Sequence, residues 1–225
     1  MLRSGLKRVA IAIAPGMMKR RDELKYWRGR YAAEHGQLRN DHYEALYTTV
    51  FGLTKEDFHR KRMLDIGCGP RGSLEWADVA LQRVGLDVLA DDYRRELGAA
   101  KHSMEYRACG SEHIPFGDAT FDIVTCLNAL DHVDDIAATI REIKRVSKPG
   151  GLFLLSVETD HPPTPTEPVT IDDALLATLA PEFTVLSEFR VGTPDDHDLH
   201  GAVRRRSPSH VTGEPGIYVA KFARN

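Results

Sequence analysis

An apolar run that ends in glycines constrains this chain more than any other feature. Met63-Leu64-Asp65-Ile66 shows no helical period and leads directly into Gly67-Cys68-Gly69-Pro70-Arg71-Gly72. A strand that stops at glycines brings bare backbone N–H groups close to a ligand. Gly67, Gly69 and Gly72 have the GxGxxG spacing of a nucleotide-binding turn, and a helical stretch is expected from Ser73. Asp87 lies 20 residues after Gly67, at the end of the short run Val84-Gly85-Leu86, where an acid can take ribose hydroxyls.

Further short apolar runs follow. Met104 to Cys109, Phe121 to Leu127, Leu152 to Val157, Phe183 to Val191 and Ile217 to Phe222 read as strands. Phe121 to Leu127 is almost wholly apolar, as a strand covered on both faces must be. Between strands, Asp134 to Val146 places Ile136, Ile140, Ile143 and Val146 at helical spacing, and Lys148-Pro149-Gly150-Gly151 ends the segment. Another helix runs through Leu175, Leu176 and Leu179. Residues 22–61 read as helices rich in aromatics, with Tyr43 and Tyr47 on one face. The links Pro162 to Pro168 and Thr193 to Pro215 lack periodicity. Alternation of this kind specifies a doubly wound α/β fold with a mostly parallel sheet of seven strands.

At 225 residues the chain suits one such domain. Residues 1–60 form an N-terminal helical part, 61–160 the nucleotide-binding core, and 161–225 the outer loops and last two strands. A net charge of −3 argues against a dedicated nucleic-acid binder. Cys68, Cys109 and Cys126 form no CxxC pair, the usage of a reduced, cytoplasmic protein. Val9 to Ala14 is broken by Pro15-Gly16, far short of the roughly 20 residues of a membrane span. Basic residues ahead of that run give it a faint look of a secretory signal; the reading adopted is a basic amphipathic lead-in helix without stable membrane insertion.

The glycine turn alone serves NAD as well as S-adenosylmethionine (SAM). Asp65 separates the two. A charge just before the glycines gains little beside an anionic pyrophosphate and much beside a cationic ammonium and sulfonium. An NAD oxidoreductase also lacks room for a second nucleotide-binding half.

Met63 to Gly69 resembles motif I of the class I SAM-dependent methyltransferases. Glu112-His113-Ile114-Pro115-Phe116 followed by Phe121-Asp122-Ile123-Val124 resembles the approach to the family's fourth strand. Asn128-Ala129-Leu130-Asp131-His132-Val133 is similar to the motif after that strand, and Lys148-Pro149-Gly150-Gly151 to the turn before the fifth. The resemblance spans Arg62 to Val157. It implies an antiparallel last strand and an N-terminal helical lid lined by Tyr26, Tyr43 and Tyr47.

It also implies roles. Asp65 would orient the methionine part, with the backbone of Gly67, Cys68 and Gly69 against the cofactor. Asp87 would take both ribose hydroxyls, Val88 would pack on adenine, and Gly110, Ser111 and Glu112 would approach the adenine edge. Asn128 joins the cofactor-binding set. Two positions depart from the family: Arg71 stands where a third glycine is common, and Gly110 where Asp is common. Ser111, Glu112 or a backbone carbonyl must then receive the adenine amino group.

Methyl transfer is an in-line displacement helped by positioning and, for an oxygen acceptor, by a base. His132 is the first choice as base, with Asp131 orienting it; the bland alternative makes His132 a pocket wall. His161, in the proline-rich loop, and Tyr43 are placed on the substrate side. Arg204, with Arg205 and Arg206 adjacent and His200 and His210 near in sequence, suggests an anionic acceptor group. No grouping shows metal-ligand spacing. The expected activity is methylation of a small-molecule acceptor at oxygen; the other reading is a silent SAM-binding partner, favoured by Gly110. The oligomeric state stays open.

Overall fold

The computed structural model describes the backbone of residues 3–196 and 198–225, and the side chains among them from residue 16 onward except residue 17. Seven extended segments share one sheet: β1 (Arg62–Ile66), β2 (Gln82–Asp87), β3 (Glu105–Ala108), β4 (Phe121–Leu127), β5 (Ser147–Thr159), β6 (Phe183–Gly192) and β7 (Gly216–Arg224). Their order across the sheet is β3-β2-β1-β4-β5-β7-β6. β1 to β5 are parallel, whereas β7 is antiparallel to both β5 and β6. The chain steps outward from β1 to β3, then restarts at β4 on the other side of β1. An open α/β sheet binds its ligand in the crevice such a switch opens at the carboxyl ends of the strands.

Among the described residues six α-helices surround the sheet: α1 (Arg3–Ala33), α2 (Tyr43–Tyr47), α3 (Ala90–Glu96), α4 (Ile136–Val146), α5 (Asp173–Leu176) and α6 (Leu199–Arg205). α4 forms as its sequence requires. The carboxylate of Asp135 accepts the Ala138 N–H at 2.9 Å and caps it, while Ile140, Ile143 and Val146 are buried on the sheet. Strand alternation splits the core into two layers. Met63 and Leu154 pack with α2, whereas Leu64, Ile66, Phe153 and Leu155 pack with α4. Asp65 therefore faces the α2 side.

Three local expectations are corrected. No helix follows the glycine loop from Ser73: residues 69–76 form turns. Arg83 donates to the carbonyls of Leu74 and Glu75, and the Glu75 carboxylate accepts the N–H groups of Ser103 and Met104 at 2.9 and 2.7 Å. Those partners hold the segment to β2 and to the start of β3, so its carbonyls never enter a helical ladder. The link Thr193 to Pro215 contains α6, capped by Asp198 on the Gly201 N–H at 3.0 Å and anchored by buried Ala202 and Val203. Seven residues are too few to show a helical period in sequence. Finally, α1 runs through Pro15 and Gly16. Among the described residues no helix is long and apolar enough to cross a membrane.

Candidate active site

Asp65 is 1% exposed and accepts three hydroxyl hydrogen bonds. Tyr47 donates at 2.8 Å from α2, Thr125 at 2.6 Å from β4, and Ser73 from the turn after the glycine loop. Burial still outweighs these donors and raises its carboxyl to about 6. Asp65 thus knits the strand, the loop and the N-terminal part together at the floor of the crevice.

The glycine loop is shaped by close packing. A Cβ on Gly67, whose φ is +70°, would lie 2.3 Å from the Ala129 Cβ of the turn after β4. A Cβ on Gly69, at φ +59°, would press on the Trp27 ring at 3.3 Å. Cys68 turns its buried thiol toward Gly85, which leaves it room, so only its backbone faces the crevice edge. α1 lies across this edge. Lys19 donates to the main-chain carbonyl of His132 and pairs with Asp134, Trp27 covers Gly69, and Arg28 pairs with Glu96.

Asp87 ends β2 in the same crevice. Its carboxylate accepts the N–H of Gly69 at 3.1 Å and that of Leu89 at 2.9 Å. Burial, reinforced by the charge of Glu23 on α1, raises it to about 7. Val88 beside it is exposed. The adenine-edge residues behave differently from expectation. The Ser111 hydroxyl is bonded to that of Thr139 at 2.9 Å, and one Glu112 oxygen accepts the N–H groups of Asp134 and Asp135. The other lies 2.4 Å from where a Cβ on Gly110 would stand, so Glu112 occupies the space an Asp there would need.

A second group of side chains gathers at the carboxyl ends of β4 and β5. Asp131 and His132 come from the turn Leu130–His132, while His161 and Glu167 come from the proline-rich loop after β5. Asp131 is fully buried, and neither of its oxygens receives a hydrogen bond from the described residues. His161 Nε2 stands 3.6 Å from Asp131 Oδ2, and His132 Nε2 stands 3.9 Å from Glu167 Oε1. Asp131 thus has an imidazole on two sides, His161 at 3.6 Å and His132 within 4.8 Å. Thr164 holds the loop in shape, its hydroxyl accepting the Glu167 N–H at 3.0 Å. Sequence reasoning missed Glu167; the only signal was an acid between the prolines of that loop.

Residues 64–155 match the family described as "Methyltransferase domain". The chain belongs to the class I SAM-dependent methyltransferases. It is 31% identical over 157 residues to an uncharacterized methyltransferase, YcgJ, of Bacillus subtilis (strain 168), covering 67% of this chain and 50% of that protein. It is 30% identical over 167 residues to the ubiquinone biosynthesis O-methyltransferase of Acinetobacter baylyi, covering 70% and 63%. The chain thus spans between half and two thirds of the length of these relatives. An S-adenosylmethionine-dependent methyltransferase from Mesorhizobium loti shares the fold, with a TM-score of 0.54 at 19% identity over 74% of this chain and 92% of that one.

The methyltransferase crevice fits its cofactor by the chemistry of its donors. Asp65 and Asp87 are buried carboxyls raised by burial, and acceptors of this kind suit an ammonium group and ribose hydroxyls. Asn128, at φ +58°, leaves a buried side-chain oxygen without a partner among the described residues, close to β4's end.

Other expected residues of the methyltransferase lie apart. Tyr43 is buried in an aromatic layer, 5.9 Å from the rings of both Tyr47 and His200, so it packs rather than lines an open wall. Tyr26 is largely exposed. Burial lowers His200 to about 4. The three arginines diverge: Arg204 is exposed near His42 and His200, Arg205 pairs with Asp198 at 3.1 Å, and Arg206 stacks on Phe189 at 4.0 Å. Arg204 and Arg205 are successive residues of α6, which point about 100° apart, and Arg206 follows the helix at φ +52°, so the three side chains take different surroundings.

Proposed function

We propose that this methyltransferase acts in the cytoplasm on a small-molecule acceptor, transferring the methyl group to an oxygen. One observation carries the reading. The acid-lined glycine loop and the Asp131, His132, His161 and Glu167 cluster occupy the same edge of the sheet, at the carboxyl ends of β1, β2, β4 and β5. The Acinetobacter relative, named as an O-methyltransferase, supports oxygen as the acceptor atom.

SAM supplies an electrophilic methyl group on its sulfonium. Asp87 holds the ribose hydroxyls, Asp65 fixes the wall that receives the amino acid end, and Trp27 with α1 excludes water from the loop. The titratable cluster receives the acceptor and promotes loss of its hydroxyl proton, with His132, a third exposed, on the open side. Bound SAM would supply the methyl group to that oxygen and leave as S-adenosylhomocysteine. Gly110, the feature favouring a silent SAM-binding protein, is accounted for by the Glu112 carboxylate folded over it. Incubation with methyl-labelled SAM and a panel of phenols, alcohols and carboxylic acids tests the reading. Label in an ether or ester product supports it; label in an N-methyl product, or S-adenosylhomocysteine formed with none, would refute it.

A further inference from the structure

We propose that Asp131, His132, His161 and Glu167 bind one divalent first-row transition-metal ion. Asp131, His132 and Glu167 each offer a ligand atom within 4.8 Å of the others, and His161 Nε2 stands 3.6 Å from Asp131 Oδ2. Ligand atoms about 2.0–2.2 Å from a common ion stand roughly 3–4 Å apart, so side-chain adjustment alone closes the set of Asp131, His132 and Glu167, and His161 approaches it through Asp131. Two imidazoles and two carboxylates suit Zn²⁺, Co²⁺, Mn²⁺ or Fe²⁺ better than Ca²⁺ or Mg²⁺.

The independent mark of a ligand is Asp131. Its side chain is 0% exposed, and neither oxygen accepts a hydrogen bond from the described residues. The buried Nε2 of His161, directed at it, also lacks a partner. A cation satisfies both at once, whereas an unpaired buried carboxylate is among the least favourable arrangements in a protein interior. His161 Nδ1 lies 3.0 Å from the Pro162 carbonyl, the kind of partner the outer nitrogen of a metal-bound histidine usually has. The ion would tie the proline-rich loop to the turn after β4.

The ion's role, though not its binding, rests on the methyltransferase reading above. Bound at the acceptor end, it would lower the pKa of an acceptor hydroxyl, whose proton then leaves to water while the imidazoles serve as ligands.

The full chain, untagged and stripped with chelator, is titrated with Zn²⁺ by calorimetry and with Co²⁺ by visible absorption. The expected result is one equivalent bound, weakened at least tenfold in His161→Gln and in Glu167→Gln, and unchanged in His59→Gln. Glu167 lies in a loop with a partly exposed side chain, so its variant keeps the test readable where Asp131→Asn fails to fold. No stoichiometric uptake, or equal uptake in Glu167→Gln and wild type, would overturn the site. Absence of methyl transfer would leave the zinc stoichiometry untouched, so the two readings fail separately.

Discussion

Arg71 in the glycine loop donates to both carboxylate oxygens of Glu34, at 2.8 and 2.6 Å, and to the Arg39 carbonyl at 2.7 Å. Its guanidinium also lies 5.5 Å from the centre of the Trp27 ring. The residue that replaces a common family glycine is the latch that fastens the end of α1 to the cofactor loop.

The latch has a pH signature. Hydrogen bonds from Arg71 hold the Glu34 carboxyl at about 2, against an ordinary 4.5. A depressed folded-state pKa contributes stability that is present above pH 4.5 and is lost as pH falls toward 2. Glu34→Gln should lower stability at pH 7 by about 2 kcal/mol and flatten its decline across that window. Urea unfolding at pH 7 and pH 3 checks this; parallel losses for variant and wild type at both pH values would refute the pairing.

Trp27 reports on cofactor entry. Its ring rests on Gly69, where the methionine part of SAM is expected, so binding must move or restack it. SAM should change tryptophan emission in the wild type. In Trp27→Phe, which keeps Trp76, the change should vanish. A full response surviving in that variant would place α1 off the binding path.

Asp65 is predicted to act on stability before it acts on chemistry. Asp65→Ala leaves the hydroxyls of Tyr47 and Ser73 without their acceptor, while Thr125 keeps the Leu64 carbonyl at 3.2 Å. Each stranded buried donor costs about 1–3 kcal/mol, so a loss of at least about 2 kcal/mol is expected. Thermal melts without cofactor should show it; a melt unchanged from wild type would contradict the network.

His132→Ala should lower turnover about 100-fold with SAM affinity little altered, since its ring belongs to the acceptor cluster and not to the glycine loop. Loss of SAM binding with preserved turnover would make His132 a wall of the cofactor pocket.

The strands, their parallel order and the acids at the ends of β1 and β2 were legible because each is a local signal: an apolar run, a glycine turn, an acid at a strand end. β4 has the bounds its apolar run suggested, Phe121–Leu127. What was not legible depended on partners distant in sequence. Ser73 could not reveal that Arg83 and Glu75 would hold its segment in turns, nor Arg71 that Glu34 lay waiting 37 residues earlier. Glu167 and Asp131 meet only because parallel β4 and β5 bring two loops to one edge. Adjacent arginines suggested one anion site; α6 turned them to three different surroundings.

Calorimetric titration of SAM into the wild type and Asp87→Ala tests the central claim most directly. With the ribose hydroxyls on the Asp87 carboxylate, each charge-assisted hydrogen bond is worth about 1.5–3 kcal/mol. The expected result is one SAM per chain in the wild type and a dissociation constant at least tenfold higher in Asp87→Ala, with the circular dichroism spectrum preserved. Equal affinity in the two proteins would contradict it, because the cofactor would then lie somewhere other than the crevice between the glycine loop and the end of β2.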